Sequence, residues 1–280
     1  MAPEPDPVQS FRERLPAPET ARKVASVWVL EVGAEGGAYE HRTVPNGSVE
    51  ISYALGSNRI VVSGPQRMPL VARVEPGTTV VGLRFHPGAA PSILGPPASE
   101  LVDLRVDLDR LWGSGVAMLA ERLGEAGAPE GAARLLEDEL AHRLADATAP
   151  DQLVTAAIGR LQPWRPGGLG DMASGLYISP RQLHRRFVAA LGFGPKTLER
   201  ILRFQGFLAL AQGPEQRHIG LARLAQRAGY ADQPHLTREA AALTGLTPRA
   251  FLDETWRRCG PTHDHEASYA GLRRALLAAR

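Results

Sequence analysis

Cysteine is almost absent, Cys259 being the only one in 280 residues. An internal disulfide, a CxxC redox pair and a zinc site built from several thiolates are therefore excluded. Long apolar runs are missing too. The first two dozen residues mix prolines with Glu4, Asp6, Arg12, Glu13 and Arg14, unlike a signal peptide. No later stretch approaches the roughly 18 apolar residues of a membrane helix, so the chain is expected in the cytoplasm without a membrane partner. Histidine is scarce where a β-domain metal site would need it: His41 and His86 stand alone between residues 25 and 105, with no His-x-His pair. A metal enzyme, which needs at least two histidines and a carboxylate converging on one ion, is disfavoured. Neither metal nor cofactor is expected. His263-Asp264-His265 has a ligand-like spacing but lies in a polar tail.

What is present points to two domains, because 280 residues exceed the usual size of one core. The net charge of +2 conceals a division. Residues 1–150 carry 14 basic against 20 acidic side chains, whereas residues 151–258 carry 15 against 8. A basic half joined to an acidic one is the pattern expected when only one half meets phosphates.

From Ala25 to about Ala90, short apolar or alternating runs are broken by Gly, Pro and Asn, as in Ser26–Val32, Ser48–Leu55, Arg59–Val62 and Thr78–Phe85. These read as strands of a sandwich or small jelly roll. Pro45-Asn46-Gly47 and Gly56-Ser57-Asn58 supply turn chemistry between them. Beyond Pro97 the period becomes helical: Leu108, Leu111, Leu119 and Leu123, then Leu136, Leu140 and Leu144, fall on amphipathic stripes. Those stripes can cover the β domain or pair with a second copy of the chain. The organisation expected is an extended arm (1–24), a β-rich domain (25–105), a helical linker and candidate dimerisation segment (106–150), an all-α domain (151–258) and a tail (259–280).

The all-α half contains an internal repeat at an offset of 53 residues: Leu183 matches Leu236, Arg185 matches Arg238, Gly192 matches Gly245 and Pro195 matches Pro248. In the first copy Ser179 is suited to cap a helix whose first position is Pro180. Leu183 and Phe187 face inward, leaving Arg181, His184, Arg185 and Arg186 outward. A short helix over Leu169–Leu176 precedes the turn at Tyr177 and Ile178. In the second copy Ile219–Ala228 forms the first helix, Gly229-Tyr230-Ala231 the turn, and Asp232 the cap of a helix bearing Gln233, His235, Leu236 and Arg238. Each copy is a helix-turn-helix. Between them Pro195–Gln212 reads as one continuous helix ended by Gly213-Pro214, able to hold both units for successive major grooves about 34 Å apart.

The run Ser179-Pro180-Arg181-Gln182-Leu183-His184-Arg185-Arg186-Phe187 with Leu191-Gly192-Phe193-Gly194-Pro195 resembles the first half of the AraC/XylS-type DNA-binding domain. Gly229-Tyr230-Ala231-Asp232-Gln233, Leu236-Thr237-Arg238 and Thr244-Gly245-Leu246-Thr247-Pro248 resemble its second half. Tyr177 departs from the glycine usual in the first turn, and Leu236 and Ala240 from positions where aromatics are common. The resemblance implies a sequence-specific transcription regulator, an activator in many members, with double-stranded DNA, RNA polymerase and a second subunit as partners. It implies base reading by Arg181, His184, Arg185, Gln233 and Arg238, with His235 as a further candidate. Arg can pair bidentately with guanine and Gln with adenine. Arg186 and Arg200 suit phosphate contacts. A lone arginine on a helix is equally at home as a solvated charge. Arg185 and Arg238 stand apart because the repeat places them equivalently.

His41–Gly56 together with Val81–Ala90 resembles a cupin-like sensor domain found ahead of this module in some members. That resemblance implies a small-molecule effector without naming it. Trp28, Glu50, Tyr53, Arg84 and His86 are candidates to line its pocket, although strand alternation alone leaves open which face each occupies.

Overall fold

The computed structural model describes residues 9–35, 37–161, 169–211 and 219–259, together with Ala267 and Tyr269. The segments expected to hold Gly213-Pro214 and His263-Asp264-His265 lie outside the described residues.

The N-terminal half is built from eight strands: β1 (Gln9–Arg14), β2 (Val24–Val32), β3 (Tyr39–Thr43), β4 (Glu50–Ala54), β5 (Ile60–Ser63), β6 (Leu70–Val74), β7 (Thr79–Phe85) and β8 (Arg105–Asp107). Six form one antiparallel sheet in the order β1-β2-β7-β4-β5-β8, and β3 pairs with β6 in a second. The segment expected as a free arm thus supplies an edge strand, with Phe11 opposite Leu30 and Glu13 opposite Trp28. The linker contributes another, since β8 ends at Asp107.

Alternation divides the large sheet cleanly. Val27 and Val29 of β2, Ile51 and Tyr53 of β4, and Leu83 and Phe85 of β7 point to one face. There they meet α3 (Gly115–Gly124) and α4 (Pro129–Leu144), which follow the short α1 (Pro91–Leu94), the 3₁₀ turn Ala98–Glu100 and α2 (Asp109–Trp112). Leu119, Leu123, Leu136 and Leu140 are the helix residues completing this core, each at most 3% exposed. Burial of one such leucine is worth about 1.5–3 kcal/mol, so the helical stripes cover the sheet. Buried Glu137 of α4 ties the N-terminal segment down, accepting from Arg14 Nη2 (2.8 Å), the Ala17 amide (2.5 Å) and Thr20 Oγ1 (2.8 Å).

The C-terminal half is helical: α5 (Gln152–Arg160), α6 (Leu169–Ser174), α7 (Pro180–Leu191), α8 (Pro195–Ala211), α9 (Leu221–Arg227), α10 (Gln233–Thr244) and α11 (Pro248–Cys259). Its own core gathers Leu183, Phe187, Ile201, Phe204, Leu236 and Ala240, all fully buried, with Tyr269 of the tail packed against it. The fold is therefore an N-terminal β-sandwich with covering helices and a C-terminal all-α domain.

The halves are docked. Arg42 of β3 donates to Glu254 of α11 (3.2 Å) and to the Thr244 carbonyl at the end of α10 (3.1 Å). Gln205 of α8 donates to the Pro45 carbonyl (2.7 Å). A Cβ at Gly47 would lie 2.8 Å from Leu198 of α8, so the β3–β4 turn sits directly on that helix.

Candidate nucleic-acid interface

Two helices carry the side chains picked out by the repeat, and both begin by the same device. Ser179 precedes α7 and accepts from the Gln182 amide (3.2 Å), while Gln182 Oε1 accepts from the Ser179 amide (3.0 Å), a closed capping box. Asp232 precedes α10 and accepts from the His235 amide (2.7 Å). Both helices stop at a glycine in the left-handed region, Gly192 at φ +82° and Gly245 at φ +75°, where a Cβ would be strained. Pro195 and Pro248 then open α8 and α11. The 53-residue repeat is thus one cap-helix-glycine-helix unit built twice.

In the first unit α6, a turn and α7 follow in order, and Leu183, Phe187 and Leu191 bury one side of α7. Arg181, His184, Arg185 and Arg186 are exposed. They differ in freedom. Arg186 donates to Asp151 (2.6 Å), the cap of α5. Partial burial works against the Asp151 charge, yet the Arg186 guanidinium and the Val154 and Leu153 amides hold its carboxyl below the usual range. The His184 ring folds back over Gly194, where an added Cβ would stand 2.6 Å away. Among the described residues, Arg181 and Arg185 have no ion-pair partner.

In the second unit Gln233 and Arg238 are exposed, and Arg238 has no ion-pair partner among the described residues. His235 is half-buried, its ring meeting Tyr230 edge-on at 5.2 Å. Burial, then the negative charge of Glu239, push the Tyr230 hydroxyl well above its ordinary pKa. Arg200 of α8 donates to Glu239 of α10 (2.9 Å), fastening the connecting helix to the second unit. The two arginines expected to meet phosphates, Arg186 and Arg200, thus hold acidic partners within the domain in this conformation.

The pocket expected in the β domain extends further than the sequence reading placed it. A cavity of about 970 Å³ lies between the two sheets and reaches the helical half, touching Leu202 and Gln205 of α8 and Phe251 and Glu254 of α11. Trp28, Glu50, Arg84 and His86 line it as expected, but Tyr53 does not, because its side chain points to the helix-covered face. Phe11 and Tyr39, from β1 and β3, complete its apolar wall.

Comparison with known proteins is consistent with this division. Residues 172–254 match a family described as a helix-turn-helix domain, and residues 12–107 match a domain of unknown function. Similar solved structures include ToxT from Vibrio cholerae O395, 11% identical, covering 87% of this chain and 97% of that one with a TM-score of 0.42. The same protein bound to (E)-4-(8-methylnaphthalen-1-yl)but-3-enoic acid is 11% identical, with coverage of 87% and 98% and a TM-score of 0.46. Unsaturated fatty acid-bound ToxT from Vibrio cholerae strain SCE256 is 10% identical, with coverage of 90% and 97% and a TM-score of 0.39. No curated protein matches the chain.

Proposed function

We propose, from the premise that the C-terminal domain is a helix-turn-helix domain of AraC/XylS type, that this chain is a transcription regulator that reads duplex DNA with two unequal helix-turn-helix units. The observation carrying this reading is the pair of α7 and α10, each begun by a side-chain cap and ended by a left-handed glycine, joined by one helix, and each presenting exposed reading-type side chains. Arg181 and Arg185 on α7, and Gln233 and Arg238 on α10, are the base readers. His184 and His235 are weaker candidates, since each already packs within its own unit. Arg186 and Arg200 would have to leave Asp151 and Glu239 before reaching phosphates.

Binding of the full chain to a labelled duplex from upstream of its own gene tests this. Arg185→Ala and Arg238→Ala should each lose about 1–3 kcal/mol, roughly five- to 150-fold in affinity, and relax preference at the bases they read. Affinity should fall steeply with salt as counterions are released. Unchanged affinity and sequence preference in both variants overturns the assignment of readers. A chain without salt-sensitive affinity for any duplex overturns the regulator reading itself.

One further observation favours control by a small effector. The cavity is shared by the sheets and the helical half, so a molecule within it contacts both. Differential binding to docked and undocked arrangements would then change DNA affinity by linkage.

A further inference from the structure

The turns of the two helix-turn-helix units close in the same way. In the first, the Ile178 amide donates to the Ala173 carbonyl (3.1 Å), and in the second the Tyr230 amide donates to the Ala225 carbonyl (3.0 Å). Both bonds reach back five residues, and in both the residue before the donor, Tyr177 or Gly229, sits in the left-handed region, at φ +56° and +83°. Glycine is the usual occupant of such a helix end, because a Cβ is strained there. The donor residue turns inward each time: Ile178 packs on the helical core and Tyr230 is buried in it. The second unit therefore makes its turn with a residue that has no side chain. Nothing in the turn itself calls for the tyrosine of the first.

Packing does not call for it either. Tyr177 is 96% exposed, whereas Tyr39, Tyr53, Tyr230 and Tyr269 are each at most 7% exposed. A strained backbone bearing an unpacked aromatic ring points to a contact made outside the chain, since strain is retained where function uses it.

The position of the ring identifies the partner. Tyr177 stands two residues before the Ser179 cap and four before exposed Arg181, so it protrudes at the end of α7 that carries the first reader. A recognition helix enters the major groove by its N-terminal residues while the helix before it crosses the backbone. The turn joining them then lies over the rim of the groove, where phosphates are nearer than base edges. A phenol hydroxyl can donate to a phosphate oxygen, and tyrosine is among the side chains that make such contacts. Of the cations expected at phosphates, Arg186 is held by Asp151 and Arg200 by Glu239.

On the reading of this chain as a DNA-binding regulator, we propose that Tyr177 is a phosphate anchor of the first unit, its hydroxyl donating to a backbone phosphate beside the bases that Arg181 and Arg185 read. The contact fixes the register of α7 and carries no base preference of its own. The turn of the second unit, with Gly229 in the equivalent place, offers no such anchor.

Duplex titrations of the full chain with Tyr177→Phe and Tyr177→Gly test this. Tyr177→Phe keeps the ring and loses the hydroxyl, so affinity should fall about tenfold. The fall should be equal for preferred and altered sequences, and the slope of log affinity against log salt should keep its wild-type value, because a neutral phenol releases no counterion. Tyr177→Gly should bind as weakly as the phenylalanine variant while unfolding at a higher denaturant concentration, which separates a lost contact from a lost fold. Replacing one phosphate at a time by methylphosphonate should reveal a position beside the first unit's bases that weakens the wild type about tenfold more than it weakens Tyr177→Phe. Tyr177→Phe binding as tightly as the wild type, a loss confined to the preferred sequence, or a methylphosphonate series without such a position overturns the inference. Salt-sensitive wild-type binding that neither substitution changes sinks this inference alone. A chain with no salt-sensitive affinity for any duplex sinks the regulator reading and this contact with it.

Discussion

Tyr177 shows how a single side chain departs from its position's requirement. It stands in the turn of the first unit at φ +56°, a region that costs a non-glycine residue about 1–3 kcal/mol, and its side chain is 96% exposed, so packing offsets none of that. Glycine would relieve the strain while costing about 0.4–1 kcal/mol of unfolded-chain entropy. Tyr177→Gly is therefore expected to raise stability by about 1 kcal/mol, read as a shift in the denaturant midpoint without a change in slope. The sequence pointed to this conformation only through the resemblance, in which glycine usually stands where Tyr177 does. Partner choice was not. That Arg186 finds Asp151 and Arg200 finds Glu239 follows from helix packing across 35 and 39 residues, which no local spacing encodes.

Among elements, the helices were legible and several strands were not. Caps, prolines at the first position and terminal glycines are local signals, and α7, α8 and α10 fall within a residue or two of their expected bounds. Their caps should matter accordingly: Ser179→Ala and Asp232→Ala are each expected to cost about 1 kcal/mol in chemical denaturation, since each leaves a helix amide without its acceptor. β1 escaped notice because its inward face is Gln9, Phe11 and Glu13, so Gln-Ser-Phe-Arg-Glu-Arg carries no apolar alternation although it alternates in burial. β3 and β6 form a thin two-stranded sheet whose residues are mostly half-buried, and Tyr-Glu-His-Arg-Thr has almost no apolar content to betray it. A buried ion pair inverts the usual inside-outside code.

For the whole molecule, the docking of the halves is the feature the sequence carried least. Arg42 and Glu254 lie 212 residues apart, with side chains 19% and 18% exposed. A double-mutant cycle with Arg42→Ala and Glu254→Ala should give a coupling energy of about 1–2 kcal/mol in thermal or chemical unfolding. A value near zero would mean that this pair adds nothing to the docking, which the Gln205–Pro45 bond and the packing of Gly47 on Leu198 would then hold. The charge division between the halves was visible in composition. The shared cavity was not, because its walls come from β1, β3, β7, α8 and α11, elements scattered along the chain.

The edge position of β1 sets a limit on trimming. A chain begun at Pro16 would lack Phe11 and Glu13, take the Glu13 carboxylate from Arg84 while Glu50 stays, and bare the flank of β2 along its whole length. An uncovered apolar strand edge recruits other chains. Such a shortened protein is expected to elute as aggregate in size-exclusion chromatography while the full-length chain does not, so expression of the β domain alone must retain its first strand.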